Sequence, residues 1–327
     1  MDILIVGGSG RISGDVTRCL VAAGFCVYVL NRGNTNQSIG CKHFKCDINS
    51  EDAFVILANR KFDVVIDFVS FTLVDVAKRY RLFKDKTQQY IFISSMTVCN
   101  AKRQIIYNEK TLVGNPYSQY ARDKIECEQY LMQKYTIHKF PVTIIRPSQT
   151  YNDKTVPVGV HGMNGSWQVV KRIQEGKPII IHGDGNSIWS VTRSEEFAKW
   201  LLGIVGNLDT IGEIIQIVNN EMLTWNQIYS IIADELGQKL YPLYISSRKL
   251  VSYDNMFRLE ESLLGDKTRT MIFDNTKLKQ YSRYSPELSA ENGIRCAVRG
   301  VLSMPESQKE DKCFDLWCDW VCSKERI

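Results

Sequence analysis

The first sixteen residues, MDILIVGGSGRISGDV, constrain this chain more than any other segment. A β-branched run, Asp2–Val6, reads as a buried strand. Gly7–Gly14 follows as a turn, and Asp15–Ala23 as a helix. Glycine permits the tight turn and lets backbone N–H groups approach a pyrophosphate. The start of the helix adds the positive end of its dipole. Gly7 and Gly10 hold the first two positions of a G-x-x-G-x-x-G spacing. Ser13 holds the third and is small enough for close helix–strand packing. A glycine motif directly between a strand and a helix predicts dinucleotide binding at Gly7, Gly10, Arg11 and Ile12. The alternative is an α/β turn that binds nothing.

The next 130 or so residues repeat this alternation. Cys26–Leu30, Asp63–Phe68, Gln89–Ser94 and Val142–Arg146 read as strands. Glu51–Arg60, Leu73–Phe83 and Tyr117–Lys134 read as helices. Strands separated by helices mean βαβ units and a parallel sheet. Beyond residue 155 the pattern mixes helices with short strands, and the last third is mainly helical. The expected architecture is therefore α/β: a Rossmann-type doubly wound parallel sheet with a smaller, mainly helical C-terminal substrate lobe. The expected domains are residues 1–155 and 156–327, with a strand near 214–218 returning to the sheet.

The second strand ends in Asn31-Arg32. Dinucleotide folds that prefer NAD place an acid there for the adenosine ribose. A guanidinium instead pairs with a 2′-phosphate. NADP is thus slightly favoured over NAD, and NAD stays open if Arg32 only stacks on adenine. Asp47 and Ile48, after a third strand, are read as adenine contacts. Asp47 is equally well read as the cap of the following helix. Phe68, at the end of its strand, completes the cofactor set.

A second constellation lies downstream. Ser94-Ser95 ends a strand, and Tyr120-x-x-x-Lys124 lies on a helical pattern. The i,i+4 spacing puts tyrosine and lysine on one face. A nearby ammonium and a bound nicotinamide lower the phenol pKa. The tyrosine then removes or returns a carbinol proton, and the serine hydroxyl bonds the same oxygen. The bland alternative is a surface Tyr–Lys pair.

Composition narrows the class. Net charge is +5, with no block of five like charges, so a nucleic-acid partner is not indicated. No apolar run nears the ~18–20 residues of a membrane span, and the amino terminus has no basic region of a signal peptide. A cytoplasmic location is expected. Ten cysteines include no C-x-x-C pair, and only four histidines are present. Reduced thiols and no metal are the expectation.

These motifs resemble the extended short-chain dehydrogenase/reductase family, the NAD(P)-dependent epimerase/dehydratase group. GGSGRIS is similar to its GGTGFIG turn, and YIFISSMTV to its serine strand. VTIIRPSQTY resembles its LRxxNVYG strand, and KPIIIHGDGNSIWSVTRSEEFA its GDGxQxRDF segment. The resemblance implies Ser95, Tyr120 and Lys124 as catalytic residues, with Lys124 also a cofactor-ribose ligand. It implies Thr97 and Gln149 as substrate contacts, a homodimer, and a nucleotide sugar as substrate. Three departures stand out. Met96 and Thr97 replace the Asp-Glu of 4,6-dehydratases, which disfavours water elimination. Cys99-Asn100 replaces the Tyr-Gly after the serine strand. Trp189 replaces the arginine that pairs with substrate diphosphate, so Arg193 and Arg269 become the candidate anion contacts. Trp189 itself is read as stacking on a base or sugar ring, or as core. The leading expectation is a nucleotide-sugar 4-epimerase. An NADPH-dependent ketoreductase is the alternative, and a redox-inactive cofactor sensor or RNA-associated protein is the third.

Overall fold

The computed structural model describes residues 1–33, 40–100 and 104–325. Through residue 100 it runs β1 (Asp2–Val6), α1 (Ser13–Ala22), β2 (Cys26–Asn31), β3 (Lys42–Lys45), α2 (Glu51–Leu57), β4 (Phe62–Asp67), α3 (Leu73–Phe83) and β5 (Thr87–Ile93). β6 (Ile106–Tyr107), α4 (Gln119–His138), β7 (Val142–Pro147) and β8 (Gln149–Tyr151) follow. Next come α5 (Trp167–Gln174), β9 (Ile179–His182), β10 (Ile188–Trp189), β11 (Val191–Arg193), α6 (Ser194–Leu202) and β12 (Ile214–Ile217).

Seven strands form one parallel sheet in the order β12-β7-β5-β4-β1-β2-β3. Its inner strands are apolar runs because both faces are covered. Ile3 and Ile5 of β1 join a core with Val16 and Leu20 of α1 and Phe197 and Leu201 of α6. Leu4 and Val6 point the other way, into a core with Val76 of α3 and Cys127 and Leu131 of α4. This is the doubly wound Rossmann-type architecture. Strand order reverses at β1, between β2 and β4. A crevice forms where crossovers diverge, at the carboxyl ends of such strands.

A third core lies beyond the sheet, built around Trp189, Trp225, Ile228, Phe314 and Trp317. Helices Trp225–Glu235, Ala290–Ser303 and Lys312–Glu325 each contribute to it. No disulfide joins the cysteines. Among the described residues, no helix is long and apolar enough to cross a membrane.

Candidate active site

β1 ends at Val6 and the chain turns at once. Gly7 has φ 87°, and a Cβ on it would stand 2.3 Å from Val69 Cγ1. Only glycine meets both conditions. The Ser13 Oγ donates to Gly7 O at 2.6 Å and accepts from Gly10 N at 2.8 Å. A glycine at this third position makes neither bond, so the departure braces the turn. No side chain caps α1. Gly14 N already donates to Gly10 O at 2.9 Å, so the helix start offers an anion its remaining N–H groups and the positive end of its dipole.

Beside the turn is a cleft of about 380 Å³ lined by Gly7, Ser9, Asn31, Arg32, Asp47, Ile48, Val69 and Phe71, among others. Asn31 Oδ1 accepts from Gly33 N at 2.9 Å, which fixes the bend after β2. Arg32 is exposed on the rim. The cap of α2 is Ser50, which accepts from Ala53 N. Asp47 is left on the cleft wall, accepting from Asn49 N at 2.8 Å. Of the expected cofactor contacts, Gly10, Arg11, Ile12, Phe68 and Lys124 do not line the cleft; Ile12 and Phe68 instead pack against the core on the α1 face. Val69 and Phe71 do line it. The cleft, the crowded Gly7 and the uncapped helix fit a dinucleotide.

α4 starts after Ser118, whose hydroxyl accepts from Ala121 N at 3.2 Å. Tyr120 and Lys124 lie on its first turns and meet the end of β5. Ser95 Oγ accepts from Thr97 N at 3.2 Å and from Thr97 Oγ1 at 2.9 Å. Its own proton is not used by Thr97, and the hydroxyl stands close enough to Tyr120 to pull the phenol pKa down. Lys124 Nζ donates to Ser70 O and Ile93 O, both at 2.7 Å. It lies 5.8 Å from the centre of the Tyr120 ring. Two of its three donors are thus committed, and they hold the ammonium in place.

Burial pushes the Tyr120 phenol up to about 12, against the pull of the Ser95 hydrogen bond. Burial also brings Lys124 down to about 8. Without a bound nicotinamide, desolvation outweighs the pull of the Ser95 hydroxyl, and the phenol is raised.

A second cavity, about 250 Å³, opens beside Ser95. Arg11, Thr97, Gln149, His161, Trp189, Asp266 and Lys267 line it with Ser95 and Met96. Gln149 Oε1 and Trp189 Nε1 are buried with no hydrogen-bond partner among the described residues. Trp189 also stacks on Trp225, with ring centres 6.4 Å apart. Arg193 is not on this wall. Residues 188–193 are extended, and Arg193 is held by Asp153 at 2.8 Å and Glu195 at 3.0 Å. Arg269 is not on it either; its Nη2 donates to Asn100 O at 3.1 Å. Sequence reasoning missed Asp266, Lys267 and His161. Burial raises Asp266 to about 7 and lowers His161 to about 4.

The family model for the NAD dependent epimerase/dehydratase family matches residues 3–217, about two thirds of the chain. The chain belongs to that family. It is an enzyme family of the extended short-chain dehydrogenase/reductase type. Among curated relatives, 2′-dehydrokanamycin reductase of Streptomyces kanamyceticus is 23% identical over 74% of this chain and 69% of its own. UDP-glucuronate 4-epimerase of Thermodesulfobacterium geofontis is 23% identical over 71% of this chain and 65% of its own. Among solved structures, UDP-glucuronic acid 4-epimerase from Bacillus cereus, in complex with NAD, superposes with a TM-score of 0.74. It is 18% identical, covering 96% of this chain and all of that one. At that identity the likeness concerns the fold. The family's nicotinamide cofactor fits the cleft beside Gly7.

Proposed function

We propose that this family member interconverts a sugar carbinol and its ketone, most simply as a nucleotide-sugar 4-epimerase. The observation that carries this reading is the placing of Tyr120 within reach of the Ser95 hydroxyl, which lines the cavity, with the fixed Lys124 ammonium 5.8 Å from the centre of the tyrosine ring. Gly7, Gly10, Asn31, Arg32, Asp47 and Ile48 would hold the cofactor, with Lys124 at its ribose. A bound nicotinamide supplies hydride acceptance and return and, when oxidised, a positive charge.

The chain's own residues do the rest. The Ser95 hydroxyl, fixed by Thr97, donates to the reacting oxygen. Tyr120 Oη takes the carbinol proton and later gives it back. The Lys124 ammonium favours the phenolate over the phenol. Gln149 Oε1 and Trp189 Nε1, which have no partners among the described residues, offer an acceptor and a donor to substrate hydroxyls.

To test this, the cofactor-loaded protein is incubated with UDP-glucose and followed by proton NMR and nicotinamide absorbance. The 4-epimer is expected to appear with no net change in cofactor. Absence of both sugar inversion and cofactor redox change across hexose nucleotides would sink the reading.

The second reading is an NADPH-dependent ketoreductase. Arg32 on the cleft rim supports it, as does a reductase among the relatives. Arg32→Ala is expected to weaken NADPH about tenfold, and NADH by less than about twofold. Fluorescence titration reads both. Equal losses would remove the 2′-phosphate role.

A further inference from the structure

Lys124 must carry its charge to favour a phenolate, yet it is only 2% exposed. Burial disfavours an ammonium unless a negative charge lies near. Its two acceptors, Ser70 O and Ile93 O, are neutral carbonyls. The rings of Phe71 and Phe92, with centres 4.8 and 4.6 Å from Nζ, add a weaker attraction. Among the described residues no carboxylate forms a direct ion pair with it.

The compensating charge lies one residue behind. Asp67 ends β4 and is wholly buried. Its Oδ1 accepts from Val69 N at 2.9 Å and from Ser70 N at 3.0 Å. Its Oδ2 accepts from Ser70 Oγ at 2.6 Å and from Tyr90 Oη at 2.5 Å. These four donors satisfy the oxygens but bring no positive charge. The carboxylate thus grips both the N–H and the hydroxyl of Ser70, the residue whose carbonyl holds Lys124.

Arg79 of α3 competes for this charge. Its Nε stands 3.7 Å from Asp67 Oδ2 and makes no hydrogen bond. Its other nitrogens donate to Ile48 O at 3.4 Å and Asn49 Oδ1 at 3.1 Å, on the wall of the cofactor cleft. Asp75 of α3, and Cys127 and Glu128 of α4, also face Lys124. Asp75 is engaged in the cap of α3, and Glu128 pairs with Arg146 of β7 at 2.6 Å. Burial brings Lys124 down to about 8, and Asp67 opposes that fall more than any other group.

We propose that Asp67 is a positioning residue for the reaction, the buried counter-charge that keeps Lys124 an ammonium beside Tyr120 and fixes the turn presenting Ser70 O to it. Asp67 lines neither cavity, so it acts through Lys124. The proposal rests on the reading of Lys124 as the partner of the Tyr120 base.

The test reads the ionisation of Lys124 itself. The chain is labelled with carbon-13 at the lysine ε-carbons and followed by NMR against pH. The Lys124 signal is assigned by its loss in Lys124→Met. Asp67→Asn should lower the proton affinity of Lys124 by about tenfold or more, because a buried opposite charge is lost. Arg79→Gln should raise it by about threefold, because a competing cation is lost. Mere loosening of the turn does not produce these opposite signs. With less proton affinity, Lys124 loses its charge at lower pH. The ratio of Asp67→Asn to wild-type turnover should therefore fall by about fivefold between about pH 6 and about pH 8. An unchanged or raised proton affinity in Asp67→Asn overturns the proposal, as does a turnover ratio that is constant with pH. If Asp67→Asn does not fold, Arg79→Gln decides: a rise upholds the proposal, and no change or a fall overturns it. Wild-type turnover in Tyr120→Phe would remove the reading of the site, whereas the Lys124 titration needs no substrate and judges Asp67 separately.

Discussion

Tyr120→Phe is expected to lower turnover by about 10²–10⁴-fold, the usual worth of a positioned acid–base group. The change removes one oxygen and keeps the ring. The ring's contact with Phe71, 6.3 Å between centres, should persist. The cation–ring approach of Lys124 should persist too. Cofactor affinity should therefore stay within about twofold, and the loss should fall on kcat. The pH profile carries the same signature. Burial raises the phenol in the chain alone, so proton abstraction strengthens as pH rises through the titration of the phenol. In Tyr120→Phe this rise should disappear. Wild-type turnover in the variant would remove tyrosine as the base.

Gly7→Val is expected to weaken NADH by about 10²-fold or more, equivalent to roughly 2.7 kcal/mol or more. Two effects combine. A β-branched residue at φ 87° is strained by about 1–3 kcal/mol. Its Cβ would also stand 2.3 Å from Val69 Cγ1, and Val69 lines the cleft. Relief of that clash moves Val69 or the turn, and both border the cleft. Gly24→Ala is the control. Gly24 has φ 83° with nothing within 4 Å of its Cβ position, so only backbone strain applies. That variant should lose some thermal stability and no NADH affinity. Normal binding by Gly7→Val would show that the turn does not cradle the cofactor.

Local patterns made much of this legible. Ile3 to Val6 is apolar on both faces because helices cover both, and such runs stand out in a sequence. The Gly7 turn and the Tyr120–Lys124 spacing are likewise set by neighbours within one turn of chain. What escaped was long-range. Arg193 lay open to a substrate role until Asp153 and Glu195 were seen to hold it. Lys267 and Asp266 end a π-helical stretch, whose wider winding defeats a search for 3.6-residue periodicity. They reach Ser95 only through the packing of the C-terminal segments. Phe68 and Val69 are adjacent, and which of them faces the cleft depends on the turn after β4. The direction of the Tyr120 shift depends on burial, which no spacing reveals.

The central claim is that the Gly7 turn holds a nicotinamide dinucleotide beside Tyr120. Calorimetric titration of the purified chain with NAD, NADH, NADP and NADPH tests it most directly. At least one redox pair should bind at one site per chain, with Kd of order micromolar, about −8 kcal/mol. Failure of all four to bind at millimolar concentration would contradict the account.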